Sequence, residues 1–577
     1  MNRLETALKK RYTALMPWRR LFRRRRGVNM EIEPDEIFID SSNLPSFDTD
    51  QFEGRLERPL EQRSYVLLTL LFAAVFLGYG FRASVLTLVR GTAYAQLSEK
   101  NRLEQAYVFA DRGTIEDKNG NKLAYDSHET GDAFARRIYA PFRGLGTVLG
   151  YTRAPAKDST GFYYQDRYIG AEGVEKSFDS RLTGINGEKL SETDALGHVV
   201  SESTIAAPQP GETIHLSIDA VLNQELYDAI ADRAQQSGFA SGAGAMMNVE
   251  TGELVALTSY PTYDPQIMTD KKDQAAIKGY LSDSRKPFLN RATTGLFTPG
   301  SIVKPYFALG ALTEKIIDPL KKIYSSGALI VPNPYDKAHP SVFKDWKAHG
   351  WIDMRQAIEE SSDEYFYTVG GGVPGQEGLG IDRLHKYATM FGFGSPTGIQ
   401  GFPEKAGTVP SIEWKKLNFP DDPTWRLGDT YHTGIGQYGF QVTPLQALRA
   451  VAAIANGGHL VTPTIEQGKI GPRSDVPISA ANFEIVKEGM RLSAQNGTAK
   501  ALDVSYIEIA AKTGTAEQGV AKDKVNSWVM GFFPYQHPKY AFVVLLERGP
   551  RANLFGSPGV MRLIFDWMYT HQSEYLK

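Results

Sequence analysis

Ser301 precedes Lys304 by one helical turn in the stretch TPGSIVKPY, Thr298 to Tyr306. A serine hydroxyl attacks a carbonyl only when a neighbouring base takes its proton, and a lysine can be that base where burial or a second cation lowers its pKa. Residues three apart on a helix share a face, so Ser301 and Lys304 can meet with no loop to bring them together. Pro299 and Gly300 suit a helix entry, which puts Ser301 at an N-terminus whose N–H groups and dipole favour developing negative charge. Pro305 offers no N–H to the Ser301 carbonyl and disfavours helical geometry at Lys304, so a distorted turn is expected. Alone the spacing is weak evidence, because Ser-x-x-Lys recurs at Ser341 to Lys344, after His339-Pro340, in what reads as a loop.

Two later triplets raise the weight of the first. Ser361-Ser362-Asp363, in EESSDEYFY, sets a hydroxyl and a carboxylate two apart, able to face one cavity if the backbone is turned there. Lys512-Thr513-Gly514-Thr515, in AAKTGTAEQ, lies on a strand pattern in which Lys512 and Gly514 share a face. Glycine there leaves room for a bound chain, and a lysine flanked by threonine hydroxyls suits a substrate carboxylate. Each triplet separately reads equally well as a capped turn or an edge strand. The ordered trio is far more specific.

The elements that must position these residues follow from patterning. A Pro-Gly break at Pro208 to Gly211 opens a region of mixed strand and helix patterns. Asn223 to Gly238 has helical apolar spacing at Leu226, Ile230 and Ala234 with a glycine stop, and Gly242 to Tyr260 reads as a hairpin turning at Glu250-Thr251-Gly252. YIEIAAKTGTAEQ, NSWVMGFFP and KYAFVVLLERG add three strands, and VMRLIFDWMYTH a closing helix. That order predicts an α+β fold, an antiparallel sheet flanked by helices over 206–577. Residues 90–205 hold short strands, including an Asp111 to Asp126 hairpin around Lys-Asn-Gly, and predict a small β-rich, non-catalytic domain.

Ser64 to Phe81 is uncharged and mostly apolar, and with Arg82 snorkelling the apolar run continues to Val89, about the 20 residues that span a hydrocarbon core. Residues 64–89 are therefore expected to be a transmembrane helix. Ala93-Tyr94-Ala95 resembles a cleavage site, but the apolar stretch is longer than a signal-peptide core and starts after 63 polar residues, so an uncleaved anchor is expected. Residues 1–30 carry ten Lys/Arg against one acid, and residues 31–63 ten Asp/Glu against three Arg. The basic cluster Arg19 to Arg26 predicts a cytoplasmic 1–63 tail, with everything after residue 90 outside. The basic stretch reads either as an interfacial amphipathic helix or as an unstructured tail, and the acidic one as a linker. A net charge of −2 gives no reason to expect nucleic-acid binding, and the absence of cysteine excludes disulfides, thiolate catalysis and Cys-based metal sites.

With the three motifs and the segments FLNRATTGLFTPGSIVKP, FGFGSPTGIQGFPEKAG, GDTYHTGIGQYGFQVTPLQALRAVAAIANGG, NSWVMGFFP, DRGTIEDKNGNKLA and GAEGVEKSFDSRLTG, the chain resembles the class B penicillin-binding proteins, and among them the elongation-type penicillin-binding protein 2 group, over most of residues 107–577. The resemblance implies a membrane-anchored, β-lactam-binding peptidoglycan D,D-transpeptidase of cell elongation and shape, with residues 90–205 as its pedestal. It implies that Ser301 attacks the penultimate D-alanine of a stem pentapeptide, releases the terminal D-alanine and passes the acyl group to an amine. By the same resemblance Lys304 is the acylation base, Ser361 a proton shuttle and Asp363 a polar organiser. Lys512, Thr513 and Thr515 bind the terminal carboxylate beside Gly514, and the Ser301 and Thr515 N–H groups form the oxyanion hole. No metal or organic cofactor is implied. A SEDS-family glycosyltransferase of the RodA type is the implied partner, on the transmembrane helix and pedestal.

Two departures stand out. Leu123-Ala124 is followed closely by GTVLGY at Gly146, so the head subdomain of most relatives is expected to be largely absent, which argues against head-mediated contact with MreC-type scaffolds. Some members hold zinc near the second motif with help from a cysteine; here Ser362 stands in that place, and although His339, Asp345 and His349 are nearby, no metal is expected. The motifs do not separate transfer to an amine from transfer to water, so a D,D-carboxypeptidase or β-lactamase-like hydrolase is the nearest alternative. A non-catalytic activator of the polymerase is the alternative from another class. The stretch between anchor and transpeptidase is too short for a glycan-polymerising domain.

Overall fold

The computed structural model describes residues 62–94, 103–130, 132–159, 163–193, 199–333, 336, 338–519, 522–552 and 556–577. The expected cytoplasmic tail, basic then acidic, lies outside the described residues apart from its last two positions. The chain divides into two compact units, Met1–Leu97 and Ser98–Lys577.

In the first unit α1 (Gln62–Ser84) continues as a wider helical turn through Val89, and this helix is long and apolar enough to cross a membrane, with none of its apolar window buried. The span thus begins two residues before the stretch read from the sequence.

The second unit opens with the strands β1 (Leu103–Val108), β2 (Ile115–Glu116), β3 (Lys122–Ser127), β4 (Arg136–Tyr139), β5 (Gly187–Thr193), β6 (Val199–Ala206) and β7 (Ile214–His215). They form one sheet in the order β1-β5-β6 and another in the order β7-β2-β3-β4. The Asp111 to Asp126 hairpin is there as read, with Gly120 at φ 81 closing its turn. Between Ala124 and Gly146 the chain supplies only the end of β3, β4 and short connections, with no inserted subdomain. An ion-pair cluster ties these strands to a short following helix. Glu175, fully buried, accepts from Arg112 Nε at 2.7 Å and Arg137 Nε at 2.9 Å, and Arg137 also reaches Asp126 at 3.0 Å. Burial alone would raise the Glu175 pKa, but the Arg137 and Arg112 guanidiniums outweigh it and hold the carboxyl below its usual value.

The larger part of the second unit is built on five strands. Helix α2 (Ala220–Ser237) begins three residues earlier than its apolar spacing indicated, because Asp219 caps the Val221 and Leu222 N–H groups, and it stops at Gly238 with φ 71. Strands β8 (Ser241–Asn248) and β9 (Leu254–Tyr260) form the expected hairpin. There follow α3 (Lys304–Thr313), the hairpin β10 (Ala328–Val331) and β11 (Ser341–Lys344), α4 (Asp363–Gly371), α5 (Leu427–Gly434), α6 (Pro444–Ala455) and α7 (Ala480–Gln495). Last come β12 (Ala510–Gln518), β13 (Lys524–Phe533), β14 (Tyr540–Pro550) and α8 (Ser557–His571). The sheet runs β9-β8-β14-β13-β12, every pairing antiparallel.

Both faces of this sheet are covered, which is why its strands read as apolar runs rather than alternating ones. Ala245, Met247, Trp528, Met530 and Leu545 share one apolar core with α3 and α6. Their neighbours Met246, Val529, Phe542 and Leu546 point the other way, into a second core with α2 and α8. Strand β12, which carries Lys512 to Thr515, is left at the sheet edge.

Candidate active site

A tight turn of Gly300–Val303, not a regular α-turn, carries Ser301, and α3 begins at Lys304. The Lys304 N–H reaches back to the Ser301 carbonyl, the shorter loop that a proline at 305 leaves available. Gly300 sits at φ 57 and donates its N–H to Gly436 O at 3.0 Å, while Trp528 Nε1 donates to Thr298 O at 2.9 Å. The Ser301 turn is thus pinned from two sides, by the sheet and by the chain leaving α5. The decoy pair at Ser341 and Lys344 lies on strand β11, where both residues are exposed.

Helix α3 delivers the Lys304 side chain into complete burial. Its Nζ donates to Ser361 O at 2.7 Å and to Asp363 Oδ1 at 2.6 Å, and lies 3.5 Å from Ser361 Oγ. The Phe366 ring is 5.5 Å away. Ser361 adopts φ 56, a left-handed conformation costly for a residue with a Cβ, and this kink is what turns its carbonyl and hydroxyl, together with Asp363, toward Lys304. Ser362 then caps α4 through the Tyr365 N–H.

The turn is held from outside by Asp345. Its Oδ2 accepts from Ser362 Oγ at 2.8 Å and from the Glu364 N–H at 2.9 Å. Burial pushes the Asp345 pKa up, but those donors and the Lys304 charge outweigh it and keep the carboxyl below its usual value.

From β12, the fully buried Lys512 reaches the same hydroxyl, its Nζ donating to Ser361 Oγ at 2.7 Å and to Thr513 O at 2.8 Å. Burial, and then the neighbouring Lys304 charge, press its pKa well below that of an ordinary lysine. The Ser361 hydroxyl therefore sits between two lysines, one paired with Asp363 and the other driven toward its neutral form. Ser301 Oγ makes no hydrogen bond to Lys304 or Ser361. The Lys304 donors are spent on Ser361 and Asp363.

The structure changes two expectations for the third motif. Gly514 faces the nucleophile's turn rather than an open groove: a Cβ there would lie 2.8 Å from Pro299 O and 2.9 Å from Ile302 Cγ2, so the glycine makes room for Ser301's own support. Lys512, enclosed behind the strand, offers a substrate carboxylate no exposed surface, whereas Thr515 is exposed and Thr513 half-buried on the opposite face of the strand. Thr513 Oγ1 donates to Thr498 Oγ1 at 2.7 Å, a partner that sequence reasoning missed. Asn496-Gly497, a stop signal at the end of α7, marks where Thr498 leaves the helix.

The residues do not fit a metal. The Ser362 hydroxyl, a poor ligand beside a thiolate, is committed to Asp345; His339 is exposed and paired with Asp336 at 2.8 Å; and no group of three His, Cys, Asp or Glu side chains among the described residues is placed to hold a metal ion. His349 is buried, 3.4 Å from Asp345 and 3.6 Å from Glu360, with neither ring nitrogen hydrogen-bonded.

Residues 242–564 match the penicillin-binding protein transpeptidase domain, and residues 132–216 the penicillin-binding protein dimerisation domain. The peptidoglycan D,D-transpeptidase MrdA of Haemophilus influenzae is 31% identical over 518 residues, 83% of this chain and 75% of its own length. Among solved structures, the penicillin-binding protein PBP2 of Helicobacter pylori in complex with MreC is 26% identical with a TM-score of 0.67, covering 82% of this chain and 99% of that one. A chain of a peptidoglycan synthase complex that coordinates polymerization and crosslinking shares the fold at 24% identity and a TM-score of 0.68, covering 88% of this chain and 99% of that one. With its three motifs gathered around one buried hydroxyl and this likeness running through pedestal and sheet alike, the chain belongs to the penicillin-binding protein transpeptidase family.

Proposed function

We infer that this chain is a peptidoglycan D,D-transpeptidase, anchored in a membrane through its apolar helix, that cross-links stem peptides through an acyl-enzyme on Ser301. The observation that carries the residue assignment is the Ser361 hydroxyl held between Lys304 and Lys512 beside the pinned Ser301 turn.

In the first half-reaction Ser301 Oγ attacks the penultimate D-alanine carbonyl. Lys304, released from its resting contacts, receives the hydroxyl proton, and Ser361 relays a proton to the departing D-alanine amine. Asp363 orients Lys304, and Lys512 polarises the Ser361 hydroxyl. The Thr515 and Thr513 hydroxyls on the exposed strand edge receive the terminal carboxylate. The Ser301 N–H, among the first amides of its helical turn and so without an intrahelical acceptor, forms the oxyanion hole with the Thr515 N–H. β-Lactams enter the same path and stop at the acyl-enzyme.

The cytoplasmic N-terminus and external catalytic domain rest on the Arg19 to Arg26 cluster. A polymerising partner of the RodA type fits the fold shared with a synthase-complex chain, and the described residues form no polymerase domain of their own. Head-mediated contact with an MreC-type scaffold, the partner named with the Helicobacter relative, is no part of the proposal, because β3 and β4 are joined by a short connection. The test is labelling by a fluorescent penicillin. Wild type should label covalently and Ser301→Ala should not; equal labelling of the two would remove Ser301 from its role.

A further inference from the structure

The Thr513 hydroxyl does not stand alone at the edge of β12. Its Oγ1 donates to Thr498 Oγ1 at 2.7 Å, and Thr498 Oγ1 lies in turn 3.4 Å from Ser493 Oγ, where either oxygen can donate. Ser493 is fully buried near the end of α7, and its hydroxyl has no other hydrogen-bond partner among the described residues. Thr498 and Thr513 are half-buried. Three hydroxyls, from α7, from the turn after it and from β12, thus form a row that runs from the interior out to the strand edge where Thr515 is exposed.

Backbone contacts fix Thr498 in the middle of this row. Its N–H donates to Glu359 O at 3.2 Å, two residues before Ser361, and the following Ala499 N–H donates to Ser493 O at 3.0 Å. Gly497 makes the first contact possible, since a Cβ there would lie 2.2 Å from Glu359 O. The segment that leads into the second motif therefore holds the Thr498 hydroxyl against the third motif.

Each hydroxyl offers one proton and two lone pairs, whereas a carboxylate only accepts. With no ligand bound, Thr513 spends its proton inward on Thr498. To bind a carboxylate it must turn that proton outward, and its oxygen is then free to accept from behind. Thr498 is in place to be that donor, with Ser493 donating to Thr498 in its turn, so reversing the row leaves no hydroxyl without a partner. Hydrogen bonds in such a chain polarise one another, most of all where the chain ends on an anion.

We propose that Thr498 is a positioning residue for the donor's terminal carboxylate, acting through Thr513 as the middle of a hydroxyl row whose direction reverses when the carboxylate binds. This rests on the transpeptidase reading above, in which Thr513 and Thr515 receive that carboxylate. Each proton rotates with its own oxygen, and no bond to hydrogen is broken. Acylation by a β-lactam that bears a carboxylate depends on the same row.

The test compares benzylpenicillin with its methyl ester, which keeps the reactive ring and lacks the anion, on the full-length, detergent-solubilised protein. Second-order acylation rates are measured for wild type, Thr498→Val and Thr498→Ser, with thermal unfolding as the check on folding. Thr498→Val should acylate about tenfold more slowly with the acid, the low end of what a hydrogen bond to a charged group is worth, and within about twofold of wild type with the ester. Thr498→Ser, which keeps the hydroxyl, should match wild type with both. Ser493→Ala should show a smaller loss, about threefold, again confined to the acid. An equal loss with acid and ester in Thr498→Val, or no loss with either, would overturn the proposal, and so would a Thr498→Ser variant as slow as Thr498→Val. Should Thr498→Val not unfold cooperatively, Thr498→Ala is judged by the same outcomes. Equal wild-type rates with acid and ester would also overturn it, since no carboxylate would then be recognised. Failure of wild type to be acylated by either compound removes the transpeptidase reading instead, and the proposal with it.

Discussion

Gly436 carries a sharp prediction about how the nucleophile is held. Its φ is 75, and a Cβ built on it would lie 2.2 Å from Gly300 O, 2.8 Å from Gly300 C and 2.9 Å from Gly300 N, all backbone atoms that cannot rotate away. A relaxed carbon-to-oxygen contact is about 3.3 Å, so Gly436→Ala must move the Ser301 turn by about 1 Å. Misplacement on that scale costs about 10²-fold in rate. The left-handed backbone adds about 1–2 kcal/mol of strain. Gly457 supplies the control, since it has φ 79 and nothing within 4 Å of a Cβ, so Gly457→Ala carries the backbone strain without the collision. Second-order acylation by a fluorescent penicillin and thermal unfolding should be measured on both. Both variants should lose about 1–2 kcal/mol from the backbone term, with a further loss in Gly436→Ala, and only Gly436→Ala should acylate about 10²-fold more slowly. Equal acylation rates in the two variants would refute the idea that this glycine contact fixes Ser301.

Three further outcomes follow from buried charges. Glu175→Gln should destabilise the second unit by about 3–5 kcal/mol in denaturant titrations, because it leaves Arg112 and Arg137 buried without their shared partner. Asp345→Ala should cost about 3 kcal/mol by stripping charged acceptors from Ser362 and Glu364, and should slow penicillin acylation by loosening the Ser361 turn. The depressed carboxyl stabilises the fold above its unfolded value of 3.8 and loses that effect as pH falls through the folded value, so the variant should also lose part of its sensitivity to acid. Lys512 shows the same direction of pH dependence in a more basic window. Between its depressed folded pKa and 10.5 the unfolded chain binds a proton that the folded chain does not, so stability rises with pH across that window. Lys512→Met should flatten the rise in urea midpoints measured across the same range.

Much of the fold was legible because period and punctuation agreed. Asp219 and Gly238 bracket α2, and the β8–β9 hairpin turns where Gly252 permits φ 80. The strands β12 to β14 were readable as apolar runs because the sheet is covered on both faces. The motif residues Ser301, Lys304, Ser361 and Lys512 were readable as chemistry, and the distortion at Ser301 followed from Pro305. Long-range geometry was not. No local pattern shows that Ser361 is left-handed, that Asp345 reaches across to Ser362, or that Gly436 rests on Gly300. Gly514 was misassigned for the same reason: alternation gave its face but not its neighbour, which is Pro299 and not a groove.

The most direct measurement of the central claim is the fate of Ser301 with a donor and an acceptor both present. Purified full-length protein, a stem pentapeptide ending in D-Ala-D-Ala and an amine acceptor should be followed together by intact-protein mass spectrometry, peptide mapping and product analysis. The structure predicts an acyl adduct on the peptide containing Ser301, stoichiometric release of D-alanine, and a donor–acceptor amide that forms at the expense of hydrolysed donor. All three should vanish in Ser301→Ala. D-Alanine release with no adduct on Ser301, or amide product persisting in Ser301→Ala, would contradict it.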